Sequence, residues 1–177
     1  DVTPRERLDM WSYLLAGKTE FWRAHRKYAG IIHFVYLTCS YPGVYTSDHF
    51  TDVTTLTLDP AFVDYAGNSF KALGVYVNFF QPELKAGTTR DFTIMMVNDH
   101  ALAVKGVLAL ALVDQSDNVV AREECDFAIK SNGRATYELK LAVPVSASGK
   151  FTVRATARPT DGVNAEPTLS RRWVEVK

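Results

Sequence analysis

Two stretches decide the fold: Tyr137-Glu138-Leu139-Lys140-Leu141-Ala142-Val143 and, one turn later, Phe151-Thr152-Val153-Arg154-Ala155-Thr156-Ala157-Arg158. In the first, Tyr137, Leu139, Leu141 and Val143 alternate with Glu138 and Lys140. In the second, Phe151, Val153, Ala155 and Ala157 alternate with Thr152, Arg154, Thr156 and Arg158. Successive side chains of a strand point to opposite faces, so this period of two describes antiparallel strands with one face buried and one wet. Working outward, strands are predicted over 74–80, 90–97, 104–114, 118–129, 134–143, 149–158 and 168–176. Between them lie reverse-turn clusters: Asp114-Gln115-Ser116-Asp117-Asn118, Ser131-Asn132-Gly133, Ser146-Ala147-Ser148-Gly149 and Pro159-Thr160-Asp161-Gly162. Seven strands with turns at this spacing predict a mainly β domain over 74–177, an immunoglobulin-like or fibronectin-like β-sandwich.

Composition narrows the partners. The 177 residues carry 20 Lys plus Arg against 20 Asp plus Glu, so the formal net charge is zero. No run of Lys and Arg is longer than the pair Arg171-Arg172, which offers no electrostatic footprint for nucleic acid or an anionic membrane. No apolar run approaches the roughly 20 residues that span a bilayer. Cys39 and Cys125 have no C-x-x-C spacing and no His nearby at ligand spacing, so no metal site, disulfide framework or cofactor is implied. Cys125 shares the Val119, Ala121, Phe127 and Ile129 face of its strand and reads as a buried, inert thiol.

Residues 1–73 have a different texture. Thr3-Pro4-Arg5-Glu6 has the form of a capping box with proline at the first helical position. From there Leu8, Trp11, Leu14, Leu15, Phe21, Trp22 and His25 recur on one apolar helical face through about Lys27. Ala29-Gly30 ends that helix. Ile31-Ile32-His33-Phe34-Val35-Tyr36-Leu37 is near-continuously apolar, as in a strand buried on both faces of a parallel sheet. A long polar and aromatic connection runs from Thr38 to Leu58. Asp59-Pro60 then opens a short helix carrying Phe62, Val63, Tyr65 and Phe70.

Three stretches carry a family likeness: Phe21-Trp22-Arg23-Ala24-His25-Arg26 leading through Ala29-Gly30 into Ile31–Leu37, then Thr46-Ser47-Asp48-His49-Phe50-Thr51-Asp52, and then Phe70-Lys71-Ala72-Leu73-Gly74-Val75. Together they resemble the end of the catalytic (β/α)8 barrel of family 2 glycoside hydrolases, of the β-galactosidase and β-glucuronidase type, with the sandwich that some of them carry next. The resemblance implies that 1–73 is a C-terminal piece of the barrel (helix, last strand, loop, closing helix) and that 74–177 is an accessory sandwich. It implies an upstream barrel of the same parent protein as partner, and a periplasmic or secreted setting. The retaining mechanism uses two carboxyl groups about 5 Å apart. In that family they sit on earlier barrel strands, one of them after an Asn, and no Asn-Glu dipeptide occurs here. No catalytic residue is therefore assigned, and this chain alone should not hydrolyse glycosides.

What transfers is position. Residues after the C-terminal end of a barrel strand face the active site, which nominates Tyr41, Tyr45, Asp48 and His49 for substrate contact. The run Ser47-Asp48-His49 holds the residue types of a hydrolytic triad, but adjacent residues cannot converge on one another. Asp48, His49 and Asp52 lack a metal-ligand spacing and read as a solvated polar loop. Tyr76, Phe80 and Trp173 fall on the outward phase of the first and last strands, and are expected to form a patch against the helical segment. Ile31–Leu37 without a surrounding barrel would expose unpaired edges, so self-association or strand addition is expected there. The competing reading is an independent module that binds a polysaccharide or a protein through the outward aromatics.

The alternation makes a direct prediction. Leu139→Ala should cost about 2 to 5 kcal/mol as a core truncation, and Lys140→Ala should stay within roughly 0.5 kcal/mol. Chemical denaturation of the two variants checks the phase, and equal effects would invert it.

Overall fold

The computed structural model describes residues 2–27, 30–32, 49–52, 54–161 and 166–177. In chain order these form α1 (Pro4–His25), β1 (Phe50–Asp52), β2 (Thr57–Leu58), α2 (Pro60–Phe70), β3 (Leu73–Val77), β4 (Glu83–Leu84), β5 (Thr89–Asn98), β6 (Val104–Val113), β7 (Val119–Ile129), β8 (Arg134–Ala142), β9 (Gly149–Asp161) and β10 (Thr168–Val176). The capping box is present: Thr3 Oγ1 accepts from Glu6 N, and Thr3 N donates to the Glu6 carboxylate at 2.8 Å. Asp59 caps α2 by accepting from Ala61 N and Phe62 N.

β3 to β10 make two sheets, of order β3-β5-β8 and β4-β10-β9-β6-β7. Leu108, Leu110 and Leu112 of β6 and Val153, Ala155 and Ala157 of β9 pack with Phe92, Ile94 and Met96 of β5 and Leu139 and Leu141 of β8. The chain is thus mainly β, a two-sheet sandwich with helices on one flank. The strands fall close to their predicted spans, with three differences. Phe79 N turns back to Val77 O, which ends β3 before Asn78. The pair Glu83–Leu84 adds a strand parallel to the end of β10 that the seven-strand reading lacks. Inside the stretch read as a long connection, β1 and β2 form a small hairpin. Its turn is held by Asp52 Oδ1, which accepts from Thr54 N and Thr55 N.

Ile31 and Ile32 are not in a strand, and the rest of the predicted strand 31–37 lies outside the described residues. So do Cys39, Tyr41, Tyr45, Ser47 and Asp48. Cys125 is half-buried against the core, and burial, reinforced by Asp126 and Glu123, pushes its thiol above the ordinary range.

The helices cover the flank where β3, an edge strand, meets β10. The face of α1 that does so is not its apolar stripe. Ser12, Ala16, Gly17, Thr19, Glu20, Arg23 and Ala24 are buried, whereas Leu14 is 52% exposed and Trp22 60%. Small residues let the helix approach closely and two charged ones reach into the sandwich. Glu20 Oε2 accepts from Arg172 Nη2 at 2.9 Å and from Ser170 Oγ at 2.7 Å, and Ser170 Oγ in turn accepts from Val77 N at 3.1 Å. The side chains of Glu20 and Arg172 are 4% and 2% exposed. Burial pushes the Glu20 carboxyl upward, against the pull of Arg172 and Ser170.

A buried pair of this kind is costly to break and cheap to replace, because removing one partner strands the other charge without water. Glu20→Ala should therefore destabilise by about 3–5 kcal/mol, while the joint replacement Glu20→Leu with Arg172→Met should recover most of that loss. Urea unfolding of the single and double variants checks it.

Candidate functional site

Three sets of contacts hold α1 and α2 on the sandwich, and between them they fix which surface faces out. At the N-terminal end, Arg5 Nη1 donates to Asp59 Oδ2 at 2.7 Å and Arg5 also pairs with Asp9. The α2 cap is thereby tied to the first turn of α1. The Arg5 hydrogen bond is the chief cause that holds the Asp59 carboxyl below the usual range, helped by the Phe62 and Ala61 amides against burial.

At the C-terminal end, Arg23 Nη1 donates to Ser69 O at 2.5 Å and its Nη2 to Asp99 Oδ2 at 2.9 Å. Arg26 pairs with the same carboxylate. Arg134 Nη1, from β8, donates to Ala24 O and Arg26 O at 3.2 and 2.8 Å, which satisfies carbonyls that a helix end leaves open. A Cβ on Gly74 would come within 3.1 Å of the Arg23 guanidinium, so a side chain there would press on the arginine where it crosses β3.

In the middle, aromatic rings interlock. Trp173 stacks on Tyr13 of α1 at 4.2 Å and donates its indole N–H to Tyr65 Oη at 3.1 Å. Arg171 lies over Tyr65 at 4.8 Å and pairs with Asp64. Tyr76 is buried at 2% exposure, edge-on to Phe21 and His25 at 6.0 and 5.6 Å. Arg172 sits 5.3 Å from the Tyr76 ring and 4.6 Å from that of Phe80. The three aromatics singled out on strand phase thus lie at the helices, although Tyr76 is enclosed and Phe80 is more than half exposed.

The polar loop lies differently from its reading. His49 is 1% exposed, stacked between Trp11 at 4.4 Å and Phe62 at 4.0 Å. Its backbone carbonyl accepts from Asp59 N at 2.6 Å. Two rings enclose the imidazole, so it faces the helical interior and not an open surface. Asp52 serves the hairpin turn. Among the described residues, no group of three or more His, Cys, Asp or Glu side chains is placed to hold a metal ion.

The remaining surface is the outward face of α1. Met10, Leu14, Phe21 and Trp22 project there, and Val63 and Phe70 of α2 are also exposed. Two shallow grooves flank Lys18: one of about 150 Å³ between Leu14, Gly17, Phe21 and Phe80, and one of about 190 Å³ between Leu15, Trp22, Ile31 and Phe70. Apolar side chains on both flanks of Lys18 make this face a candidate contact surface. The apolar spacing of α1 includes Leu14, Phe21 and Trp22, but their orientation depends on Glu20 and Arg23, which a hydrophobicity count sets aside.

No protein-family profile matches the chain, and no curated protein sequence does. Among solved structures, similar ones include a family 123 glycoside hydrolase from Clostridium perfringens (11% identity, TM-score 0.41, 59% of this chain and 27% of that one). A family 2 β-glucuronidase gives 15% identity and TM-score 0.42 over 59% of this chain and 11% of that one. A β-glucosidase from Listeria innocua gives 17% identity and TM-score 0.45 over 59% of this chain and 16% of that one. The chain thus matches between 11% and 27% of the length of these glycoside hydrolases.

The Asp99 clamp gives a pH prediction. Burial raises the Asp99 carboxyl, but the hydrogen bonds and charges of Arg26 and Arg23 outweigh it and hold the group below its usual range. A depressed carboxyl contributes stability that is complete above its unfolded value, near about 4, and is lost as pH falls through the folded value. The melting temperature of Asp99→Asn should lie below that of the wild type at pH 7, and the gap should close as pH falls below about 4.

Proposed function

We propose that this chain is the non-catalytic C-terminal region of a carbohydrate-active enzyme of the glycoside hydrolase type. In this reading residues 1–73 complete a (β/α)8 barrel, and 74–177 form an immunoglobulin-like sandwich that scaffolds it. The observation that carries the reading is the inverted helix. α1 gives its small and charged face to the sandwich and turns Met10, Leu14, Phe21 and Trp22 outward. Apolar side chains grouped on one helix face suit a surface that another element covers. The residues that resemble the end of a family 2 barrel include Phe21 and Trp22 of this strip, and an upstream barrel of the parent protein is the partner the reading supplies.

Tyr41, Tyr45 and Asp48 belong to the same proposal as contacts to substrate in the assembled enzyme. His49 would act by holding the loop's exit between Trp11 and Phe62. Self-association through Ile31 to Leu37 is the proposed behaviour of the chain without its barrel. Ile32, 91% exposed, and Trp22 line one groove beside that segment. An independent β-sandwich module for polysaccharide or protein is the alternative.

The test combines activity with surface chemistry. A panel of chromogenic aryl glycosides should show no turnover by the 177-residue chain. Activity that survives repurification and disappears when one carboxylate of this chain is substituted would overturn the reading. Leu14→Asp with Trp22→Asp should leave the stability of the isolated chain within about 1 kcal/mol, as expected of surface positions. A large loss would show that these side chains are already covered within the chain.

A further inference from the structure

One cleft shares no residue with the outward face of α1. It occupies about 410 Å³ at the end of the five-stranded sheet, where the last residues of β10 meet the first of β9 and the turn from β6 to β7. Trp173 pairs in register with Thr152, and Glu175 with Lys150, so these four side chains stand on one face of the sheet. Pro82 and Gln115 line it beside them, while the Phe151 ring turns to the core on the other face of the sheet.

The aromatic part is pre-set. Tyr13 stacked on one face of Trp173 and Tyr65 on its indole N–H leave the ring little freedom to turn. The polar rim is uncommitted. Lys150, Glu175 and Gln115 are exposed, and none of their side chains is engaged in a hydrogen bond within the described residues. Asp114, by contrast, is fixed in the turn, accepting from Ser116 N and Asn118 N at 2.8 and 2.9 Å.

We infer that this cleft binds a neutral saccharide. A sugar ring has a flat apolar face and an edge of hydroxyls that both donate and accept, which matches an indole floor with Lys150, Gln115 and Thr152 as donors and Glu175 as acceptor. The mixture of one cation with the Glu175 and Asp114 carboxylates disfavours phosphate and other anions. At Glu175 and Val176 an extended peptide finds the β10 edge already taken, by β4 and by the Pro82 carbonyl that accepts from Glu175 N. The inference rests on the alternative reading of a polysaccharide-binding module and not on docking to a barrel.

Amide and indole chemical shifts of the full chain, titrated separately with cellotetraose, xylotetraose, maltotetraose and β-1,4-galactotetraose, decide it. At least one sugar should give saturable shifts at the Lys150, Thr152 and Glu175 amides and the Trp173 indole. The exposed-rim variant Lys150→Ala with Glu175→Ala should weaken that binding tenfold or more without lowering the melting temperature. Leu14→Asp with Trp22→Asp should leave it unchanged, so failure here is separable from failure of the docking role. The inference is overturned if none of the four sugars saturates, if the rim variant binds as tightly as the wild type, or if inorganic phosphate or tetra-alanine binds these residues more tightly than any of the sugars.

Discussion

The open edge of β3 is the constraint on which the rest depends. A sandwich of three strands against five leaves one flank where an edge strand and the buried guanidinium of Arg172 would otherwise meet water together. Unpaired edges invite aggregation, and a common protection is to cover them with a helix. Here α1 does so by chemistry as well as by bulk. Ser170 Oγ accepts from the Val77 amide and donates its hydrogen bond to Glu20, and Glu20 neutralises Arg172. A leucine at position 20 would cover the edge but leave the Arg172 charge unneutralised and the Ser170 hydroxyl without its acceptor.

That solution determines the outer surface. Once Glu20 and Arg23 must point inward, a residue 100° or so around the helix from them points along the flank, and the opposite side must face out. Leu14 lies nearly opposite them, and Met10, Phe21 and Trp22 border it along the two flanks. The exposed strip is thus a consequence of the buried charges, and it is why the helical layer reads as half of an interface. Arg5 with Asp59 at one end, and Arg23 and Arg26 with Asp99 at the other, prevent the helix from rolling to bury the strip itself.

The same geometry gives the aromatic junction two roles. Trp173 lies on the outer face of β10, where strand phase places it, and the helices take one side of its ring through Tyr13 and Tyr65. The other side belongs to the cleft above Thr152 and Lys150. Tyr76, of the same outward phase on β3, is enclosed instead, because α1 lies directly over that strand.

The sequence by itself determined the local elements: the alternation of 137–143 and 151–158, the turn clusters, the Thr3 capping box and the Asp59 cap. Each rests on contacts between residues close along the chain, so its signal is written in a short window. Tertiary structure decided what required distant partners. It turned Leu14, Phe21 and Trp22 of α1 outward, since Glu20 and Arg172 are joined from opposite ends of the chain and periodicity carries no information about pairing across 152 positions. It placed His49 between Trp11 and Phe62 and not at a surface, since an imidazole in a polar stretch reads as solvated until two rings from separate helices enclose it. It also assembled the cleft at Trp173, Thr152, Lys150 and Glu175, whose register is set by the pairing of two strands whose common face no single stretch of sequence displays.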